Sequence, residues 1–564
     1  MLRAKISTPT NRINTIIFIV VMIGILIGIR LFFLQIIKNG YYDARAADQQ
    51  EFTKTLEAKR GNILAKTKTG DEVFLASTKN GFNLFFNNKL LSDKDGLYEK
   101  LNAITPIDKE LFLKISSKEN DPYEILKKKI SEKEAVAVSE LKIAGVGLEK
   151  ESWRFYPAGV FASHILGFVA ESDAGVPEGK YGIEKYYNAD LSGEAGEIVA
   201  DRDGNGLLIA LGSRLVTDPK EGEDIILTID PDLQRFVEAE TVKVLEKWSA
   251  ESAGTIIIEP KTGRIRAITA APSFNPNEYQ KEKKLGVFLN PFVEKIFEMG
   301  SVFKPLTIAA ALDRNVLTPD TTYVDKGEIK IGSAVISNYD GKVRGVRTMT
   351  QVLEESLNTG AVFAMQKLGG ENLKTYFHNY GLGEKLMIDL PGELKGDLSN
   401  LESGREIEFA TASFGQGIAV TPIELAMALS SLGNGGKLMR PYINEKNSPH
   451  VIRQVIRPET SNTISRMLVD VVDQSLAGGA AKIKGYSIAA KTGTAQIPKT
   501  DGKGYGDQYL HTFFGYFPAY DPQYLILMFL EKPQGVKYAS HSLTDTFSEI
   551  VEFMISYYTI PPDR

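Results

Sequence analysis

The strongest hydrophobic run of the chain lies near its N-terminus. Residues 16–37 are almost all apolar, with Arg30 and Gln35 as the main interruptions, and about 20 predominantly apolar residues suffice to cross a membrane. Arg30 lies toward the C-terminal end of the run, where a long side chain reaches the polar interface. The pattern predicts a transmembrane anchor over residues 13–37, preceded by a short tail at 1–12.

Charges around this run predict its orientation. Arg3, Lys5 and Arg12 precede it, and the first twelve residues contain no acidic residue, so the positive-inside rule places the N-terminus in the cytoplasm. A cleaved signal peptide is the competing interpretation. The run continues through residues 31–34 to Lys38 without a small-residue cleavage site, which favours an uncleaved single-pass anchor with everything after residue 38 outside the cytoplasm.

The region that follows, residues 38–220, is rich in lysine and glutamate and contains short strand-like runs such as 82–86. Ser131 and Glu134 form a Ser-x-x-Glu capping box before an apolar stretch, which predicts a helix start. This region contains no catalytic constellation. We therefore interpret it as a non-catalytic α+β domain.

From about residue 221 the pattern changes. Residues 255–258 and 265–268 are apolar runs joined by a Pro-Lys-Thr-Gly turn, which predicts a β-hairpin. Residues 524–530 resemble a buried strand, and 548–557 a closing helix. Helical stretches between these strand pairs favour an α+β fold for residues 221–564.

Composition narrows the function. The chain has 564 residues, a net charge of −5, no cysteine and five histidines. The negative net charge argues against a dedicated nucleic-acid binder. The absence of cysteine excludes disulfides, Fe–S clusters and thiolate metal sites. None of the histidines lies near the strings described next, so a Ser-His-Asp triad is disfavoured. We predict no metal and no cofactor.

Three short strings carry candidate chemistry in one order along the chain. They are Ser-Val-Phe-Lys at 301–304, Ser-Leu-Asn at 356–358 and Lys-Thr-Gly at 491–493. Taken singly, each has an ordinary structural explanation, such as a capping serine, a helix end or a strand. Together they match the S-x-x-K, S-x-N and K-T-G set of active-site-serine enzymes that act by acyl transfer.

The first string supplies a nucleophile and a base. A serine hydroxyl needs an adjacent base to take its proton, and Ser301 and Lys304 stand at i and i+3, on one face of a helix. Gly300 before them and Pro305 after them predict a helix start at this point. Lys304 must be largely neutral to act as a base, and burial or a neighbouring cation lowers its pKa in that direction.

The other two strings complete a site for an acyl donor. Ser356 is suited to relay a proton, and the Asn358 side chain to hydrogen-bond an amide of the substrate. Lys491 and Thr492 offer a cation and a hydroxyl for a carboxylate, while Gly493 within a strand indicates close approach of the backbone to a ligand.

These residues, with further landmarks at Arg60-Gly61, Arg154 and Glu184, make the chain similar to class B penicillin-binding proteins, which are bacterial peptidoglycan transpeptidases. The resemblance implies that Ser301 is acylated, that Lys304 is its base and that Ser356 relays the proton. It also implies that Asn358 binds the substrate, that Lys491 and Thr492 bind its terminal carboxylate, and that the N–H groups of Ser301 and Thr494 form an oxyanion hole beside Gly493. Met299 and Leu357 depart from the usual family residues without removing a reacting group.

The resemblance further implies the architecture and the partners. The expected fold is an antiparallel sheet covered by helices, raised on a non-catalytic, dimerisation-like pedestal and anchored in the bacterial cytoplasmic membrane. The expected substrates are peptidoglycan stem peptides on lipid-linked or nascent glycan, and β-lactams are expected covalent inhibitors. The strings look more like the septal than the elongation type, which stays the alternative.

A partner in the membrane is also expected. Septal class B enzymes are expected to dock a polytopic glycosyltransferase and other division proteins, and Gly24 and Gly28 place two small residues on one face of the predicted span. Three other functions remain open at this stage: a D,D-carboxypeptidase, a β-lactamase, and a catalytically silent scaffold or antibiotic sensor.

Overall fold

The computed structural model describes residues 9–41, 51–91, 96–118, 121–173, 175–201, 214–499 and 504–564. The helices of the described part are α1 (Pro9–Phe32), α2 (Leu97–Ile104), α3 (Lys109–Ser116), α4 (Glu132–Glu140), α5 (Ser163–Leu166), α6 (Gly182–Tyr186), α7 (Asn188–Ser192), α8 (Pro231–Lys247), α9 (Pro291–Glu294), α10 (Lys304–Asp313), α11 (Met349–Glu354), α12 (Asn358–Leu368), α13 (Gly370–Asn379), α14 (Glu406–Ala412), α15 (Pro422–Gly433), α16 (Pro458–Asp470), α17 (Ala539–Ser542) and α18 (Thr544–Tyr558).

The strands of the described part are β1 (Glu51–Leu56), β2 (Ile63–Lys66), β3 (Glu72–Phe86), β4 (Glu124–Ile130), β5 (Val146–Phe155), β6 (Val169–Glu171), β7 (Pro177–Gly179), β8 (Gly196–Asp201), β9 (Arg214–Thr217), β10 (Ile225–Leu227), β11 (Ser252–Ile258), β12 (Ile265–Ala271), β13 (Thr322–Asp325), β14 (Glu328–Ile331), β15 (Ala334–Ser337), β16 (Gly345–Thr348), β17 (Lys437–Met439), β18 (Val451–Gln454), β19 (Ala489–Pro498), β20 (Tyr505–Phe517) and β21 (Tyr524–Glu531). The chain divides into two compact units, Met1–Lys59 with Ser192–Gly222, and Arg60–Leu191 with Glu223–Arg564.

The first unit contains the apolar helix. Residues 13–37 form one continuous helical stretch with a mean hydropathy of 2.9, and within the described residues it is the one helix long and apolar enough to cross a membrane. Its last turn, Phe33–Ile37, is π-helical. The same unit contains a small antiparallel sheet in the order β1-β8-β9. The length and the apolar composition of the helix over residues 13–37 are compatible with a single-pass anchor at the predicted position.

The second unit begins with a sheet that has its own core. Its order is β10-β2-β3-β4, with β5 also paired to the long strand β3. The predicted run 82–86 forms the end of β3, where Leu84 and Phe86 are fully buried against Phe112 of α3. Ser131 and Glu134 make the predicted capping box at the start of α4. The two predictions for this region are confirmed.

A buried ion cluster ties three segments of this region together. The Glu184 carboxylate is inaccessible to solvent and accepts from Arg60 Nε at 2.8 Å and Arg154 Nε at 2.5 Å. Arg154 also donates to the Gly61 carbonyl at 2.8 Å, and the Tyr156 hydroxyl lies 3.3 Å from the same carboxylate. The cluster joins residues that are more than a hundred positions apart in sequence.

The larger sheet runs β12-β11-β21-β20-β19, with all neighbours antiparallel. The predicted hairpin is β11–β12, the predicted strand is β21, and the predicted closing helix is α18, which starts four residues earlier than expected. Seven of the eight residues of β21 are buried because helices cover both faces of this sheet. The α+β prediction is confirmed, and the boundary at 220/221 stays a prediction.

Helix placement follows from local sequence. Asp230 caps α8 by accepting from the backbone N–H groups of Asp232 and Leu233, and Pro231 occupies the first turn, where its missing N–H costs nothing. This helix packs on β12. On the site side, α10 packs against α12 and α16, and the turn before α10 contacts β19. The sheet edge formed by β19 and the N-terminus of α10 therefore face each other.

Candidate active site

Ser301 lies in a tight turn at the start of α10. Residues Gly300–Phe303 form a 3₁₀ turn and the α-helix begins at Lys304, so the predicted helix start is displaced by three residues. Gly300 has φ +66°, and its N–H donates to the Gly415 carbonyl at 3.0 Å. A Cβ at position 300 would lie 3.0 Å from that of Ala495. The turn thus presses the nucleophile segment against β19.

Lys304 is completely buried and its amine points to the second string. Its Nζ donates to the Ser356 carbonyl at 2.6 Å and to the Ser356 hydroxyl at 3.1 Å. Burial, and secondly the charge of Lys491, hold the pKa of Lys304 well below its ordinary value of 10.5. A lysine in this state is largely neutral much nearer to physiological pH than a solvated one.

Ser356 stands in the turn between α11 and α12 with φ +54°, a left-handed conformation that is uncommon for residues other than glycine. This conformation directs both its carbonyl and its hydroxyl to Lys304. Leu357, the atypical middle residue of the string, is fully buried and serves packing. Asn358 is the first residue of α12, and its Nδ2 donates to the Ser337 carbonyl at 2.9 Å.

The third string lies inside the edge strand β19. Lys491 is 3% exposed, and burial lowers its pKa from 10.5 to about 7. Its Nζ donates to the Thr492 carbonyl at 3.1 Å. A Cβ at Gly493 would lie 2.8 Å from the Met299 carbonyl oxygen and 3.2 Å from the Ser301 nitrogen, which only glycine permits. The strand backbone and the backbone of the nucleophile are therefore in direct contact.

Thr494 is the last of four consecutive candidate residues on β19. Its hydroxyl accepts from the Ala539 N–H at 3.0 Å, which ties the start of α17 to the strand. The eight predicted site residues thus lie on three segments. The hydrogen bonds of Lys304 join the first segment to the second, and the close approach at Gly493 joins the first to the third.

Several residues that contact the candidate site residues were not predicted from the sequence. Ser337, Gly415 and Ala539 hold the three strings through backbone groups, and any residue type supplies such a group. The rings of Tyr339 and Tyr538 meet, and the segments that bear them bond to Asn358 and Thr494 through Ser337 and Ala539. Local sequence holds no signal for these contacts, because the segments come together only in the folded chain.

This geometry agrees with the comparison to known families. Residues 253–552 match the family model of the penicillin binding protein transpeptidase domain. The chain belongs to the penicillin-binding protein family. Residues 55–227 match the penicillin-binding protein dimerisation domain. Together the two matches make the chain a class B penicillin-binding protein and confirm the resemblance noted in its sequence.

Individual relatives cover nearly the whole chain. Stage V sporulation protein D of Bacillus subtilis is 32% identical over 549 residues, 95% of this chain and 83% of the relative. Peptidoglycan D,D-transpeptidase FtsI of Escherichia coli is 30% identical over 465 residues, 82% of this chain and 77% of the relative. The crystal structure of penicillin binding protein 2X from Streptococcus thermophilus superimposes with a TM-score of 0.74 at 22% identity, covering 90% of this chain and 80% of that one, and shares the fold.

Proposed function

We propose that this penicillin-binding protein is a serine D,D-transpeptidase that cross-links peptidoglycan stem peptides in septal wall synthesis, with Ser301 as its nucleophile. The observation that carries the proposal is the buried Lys304 amine, three residues after Ser301 in the chain and hydrogen-bonded to Ser356. A neutral amine has two N–H donors and one lone pair. Both donors are directed to the Ser356 carbonyl and hydroxyl, so the lone pair is left to accept the proton of Ser301.

The reaction then follows in two balanced steps. The Ser301 oxygen bonds to the carbonyl carbon between two D-alanines, its proton passes to Lys304, and the C–N bond breaks. Ser356 relays a proton to the departing nitrogen and free D-alanine leaves. An amine of a neighbouring stem peptide then attacks the carbonyl carbon of the acyl-enzyme and forms the new C–N bond. The C–O bond to Ser301 breaks, and a proton of the amine passes through Lys304 to the Ser301 oxygen. A β-lactam enters the first step and remains bound because its ring opens without losing a fragment.

Binding of the donor is assigned to the other strings. Lys491 and Thr492 are proposed to hold the terminal carboxylate, since a charge-assisted hydrogen bond to a carboxylate is among the stronger polar contacts. Asn358 is proposed to bind an amide of the stem. The N–H groups of Ser301 and Thr494, brought near each other by Gly493, are proposed to stabilise the oxyanion of the tetrahedral intermediate.

Mass spectrometry after exposure to benzylpenicillin tests the assignment. We expect a stable adduct on the wild-type chain, located on the peptide that contains Ser301, and its loss in Ser301→Ala. Ser333→Ala, which alters an exposed serine in the turn between β14 and β15, is the matched control and keeps the adduct. An adduct that persists in Ser301→Ala disproves the nucleophile assignment, and rapid turnover of the adduct favours a β-lactamase.

We also propose a single-pass topology with a cytoplasmic N-terminus, and a polytopic glycosyltransferase as the partner of α1. The support is the apolar length of α1 and the two glycines on one of its faces. Gly24→Leu with Gly28→Leu is expected to weaken co-purification with that enzyme while benzylpenicillin acylation is unchanged. Ile23→Leu with Ile27→Leu, which alters side-chain shape but little volume, is the control. Undiminished co-purification of the glycine variant contradicts docking through this face.

A second candidate role follows from one relative. The 32% identity to a stage V sporulation protein over 95% of this chain favours a role in sporulation if the source organism forms spores. The chemistry at Ser301 is the same in both roles. Localisation of a fluorescent fusion separates them, because a septal enzyme collects at division sites in growing cells and a sporulation enzyme is expected only in sporulating cells.

A further inference from the structure

Asp325 is a buried carboxylate that contacts the residue directly after the second string. It is the last residue of β13 and is inaccessible to solvent. Its Oδ1 accepts from the Thr359 hydroxyl at 2.6 Å, from Asn338 Nδ2 at 2.9 Å and from the Gly327 N–H at 3.3 Å. Its Oδ2 accepts from the backbone N–H of Arg344 at 2.9 Å. Four donors from different parts of the chain therefore converge on one carboxylate.

The carboxylate of Asp325 is ionised at neutral pH. Burial by itself raises the pKa of a carboxyl, but the hydrogen bonds donated to Asp325, first of all by Thr359, outweigh burial and hold the pKa below its ordinary value of 3.8. An ionised carboxylate only accepts hydrogen bonds, whereas an amide of the same shape has an oxygen on one side and two N–H groups on the other. Donors that face both oxygens of Asp325 therefore suit aspartate at this position and do not suit asparagine.

Asp325 fixes the orientation of the Asn338 amide. Asn338 is 4% exposed. Because the carboxylate only accepts, the NH₂ group of Asn338 is directed to Asp325, and its Oδ1 is left to accept from the Thr359 N–H at 3.3 Å. That N–H is one of the first of α12, which have no partner within the helix. Asp325 thus holds the first turn of α12 twice, directly through the Thr359 hydroxyl and indirectly through Asn338.

The same two contacts flank the hydrogen bond of Asn358. Its Nδ2 donates to the Ser337 carbonyl at 2.9 Å. Asn358 precedes Thr359 in the chain and Ser337 precedes Asn338, so each end of this bond is next to a residue that Asp325 binds. Asn358 is partly exposed. With one N–H directed to Ser337, its Oδ1 and its second N–H are left for a ligand.

We propose that Asp325 is a positioning residue that orients the side-chain amide of Asn358 toward the amide of the acyl donor. This inference rests on the proposed function, in which Asn358 binds that amide. Without an acceptor on both sides at position 325, the Asn338 amide loses its fixed orientation, and the Thr359 N–H loses its partner. The Asn358 amide then no longer meets the donor at a fixed angle. Loss of one such hydrogen bond lowers the acylation rate by about twofold to tenfold.

Acylation kinetics of the full-length chain test the proposal. The second-order rate constant of adduct formation is measured with benzylpenicillin, which has a side-chain amide, and with 6-aminopenicillanic acid, which has a free amine in its place. Asp325→Asn is expected to lower the benzylpenicillin rate by about twofold to tenfold and to leave the other rate nearly unchanged. A merely structural role of Asp325 lowers both rates in equal proportion.

Three further variants sharpen the comparison. Thr359→Val removes the hydroxyl that donates to Asp325 at nearly constant shape, and it is expected to lower the ratio of the two rates in the same way. Thr359→Ser keeps the hydroxyl and is expected to keep the wild-type ratio. Asp320→Asn alters an exposed aspartate shortly before β13 and is the matched control, expected to change neither rate.

A double variant tests whether Asp325 acts through Asn358. Asn358→Ala removes the amide that Asp325 is proposed to orient. In that background, Asp325→Asn is expected to slow benzylpenicillin acylation no further, because the contact is already absent. Losses that multiply in the double variant mean that the two residues act independently and overturn the proposal.

The remaining outcomes separate the inference from the proposed function. A ratio that falls in Asn358→Ala but not in Asp325→Asn overturns the positioning role alone. A ratio unchanged in Asn358→Ala shows that the role assigned to Asn358 is wrong, and the inference fails with it, while loss of the adduct in Ser301→Ala still supports the nucleophile. If Asp325→Asn fails to fold, as judged by circular dichroism, the comparison of Thr359→Val with Thr359→Ser decides, and equal ratios in these two variants overturn the proposal.

Discussion

At the scale of single residues, the proposed chemistry depends on two buried lysines, Lys304 and Lys491. Lys304 needs to be neutral to accept a proton, and Lys491 needs to be charged to bind a carboxylate. Burial lowers the pKa of both, and that of Lys491 to about 7. The charge of Lys491 lowers the pKa of Lys304 further. Under the proposed assignment, the residue that binds the carboxylate also lowers the pKa of the base.

This coupling has a testable pH dependence. The acylation rate rises with pH as Lys304 loses its proton, so the midpoint of the rate profile follows the pKa of Lys304. Lys491→Gln removes a like charge, lets that pKa rise, and is expected to move the midpoint to higher pH. The measurement is the rate of adduct formation at saturating benzylpenicillin over a pH series, which removes the separate effect of Lys491 on binding.

Lys482→Gln is the control for the pH profile. Lys482 is half exposed and pairs with Asp473 at 3.7 Å, so its loss is expected to leave the midpoint in place. A midpoint in Lys491→Gln that is unchanged, or that moves to lower pH, contradicts the electrostatic coupling.

The sequence named the candidate residues, whose chemical roles stay predictions, but it did not predict their geometry. The three strings contain seven of the eight candidate residues, and the family resemblance added Thr494. The proton relay assigned to Ser356 implies that its hydroxyl meets Lys304, but the bond from Lys304 to the Ser356 carbonyl was not predicted. That bond depends on the left-handed backbone at Ser356, a conformation that propensity alone does not favour for serine. That conformation is imposed by the packing of α11 and α12.

At the scale of elements, the decisive contact is between β19 and the turn before α10. Gly493→Ala would place a Cβ 2.3 Å from the Thr512 hydroxyl and 2.8 Å from the Met299 carbonyl oxygen. The carbonyl belongs to the backbone of the nucleophile segment and has little room to yield. We expect this variant to fold with reduced stability and to lose most of its benzylpenicillin acylation, because the strand is forced away from Ser301.

Gly506→Ala is the matched control on the neighbouring strand. Its Cβ would meet nothing nearer than the Ile497 carbonyl oxygen at 3.6 Å, an ordinary contact. Acylation should stay at the wild-type rate. If Gly493→Ala is acylated as fast as Gly506→Ala, the close approach of the two backbones is not needed for reaction.

Elements with a strong local signal were predicted well. The hairpin β11–β12, the strand β21 and the capping box of α4 follow from patterns within a dozen residues. The order of the strands in the sheet could not be predicted from local patterns, because β11 pairs with β21, which lies near the other end of residues 221–564 in the sequence. The ring contact between Tyr339 and Tyr538 likewise depends on segments about 200 residues apart.

At the scale of the whole molecule, the ion cluster around Glu184 is expected to contribute strongly to the free energy of unfolding. Breaking a buried ion pair by removing one partner costs about 3–5 kcal/mol, because the remaining charge stays buried. Glu184→Gln leaves Arg60 and Arg154 without their carboxylate. We expect urea unfolding of this variant to show a loss of stability of that order.

A surface pair provides the comparison for Glu184. Glu178 bonds to Lys180 at 2.7 Å, with both side chains at least one-third exposed, and exposed pairs contribute about 0–1 kcal/mol. Glu178→Gln should therefore unfold almost like the wild type. Equal unfolding curves for the two variants would mean that the cluster contributes no more than a surface pair.

The strand order of the larger sheet also constrains when the enzyme first becomes active during synthesis. Ile258 of β11 pairs with Leu525 of β21, so the hairpin β11–β12 has to wait for about 270 further residues before its neighbour exists. At about 5–20 residues per second, the ribosome needs roughly a quarter of a minute to a minute for that length. Throughout this interval one edge of the hairpin is without its final partner, and the pair β19–β20, once made, has no link to the hairpin. A chain arrested before β21 therefore carries the nucleophile turn and all three strings but lacks a working site.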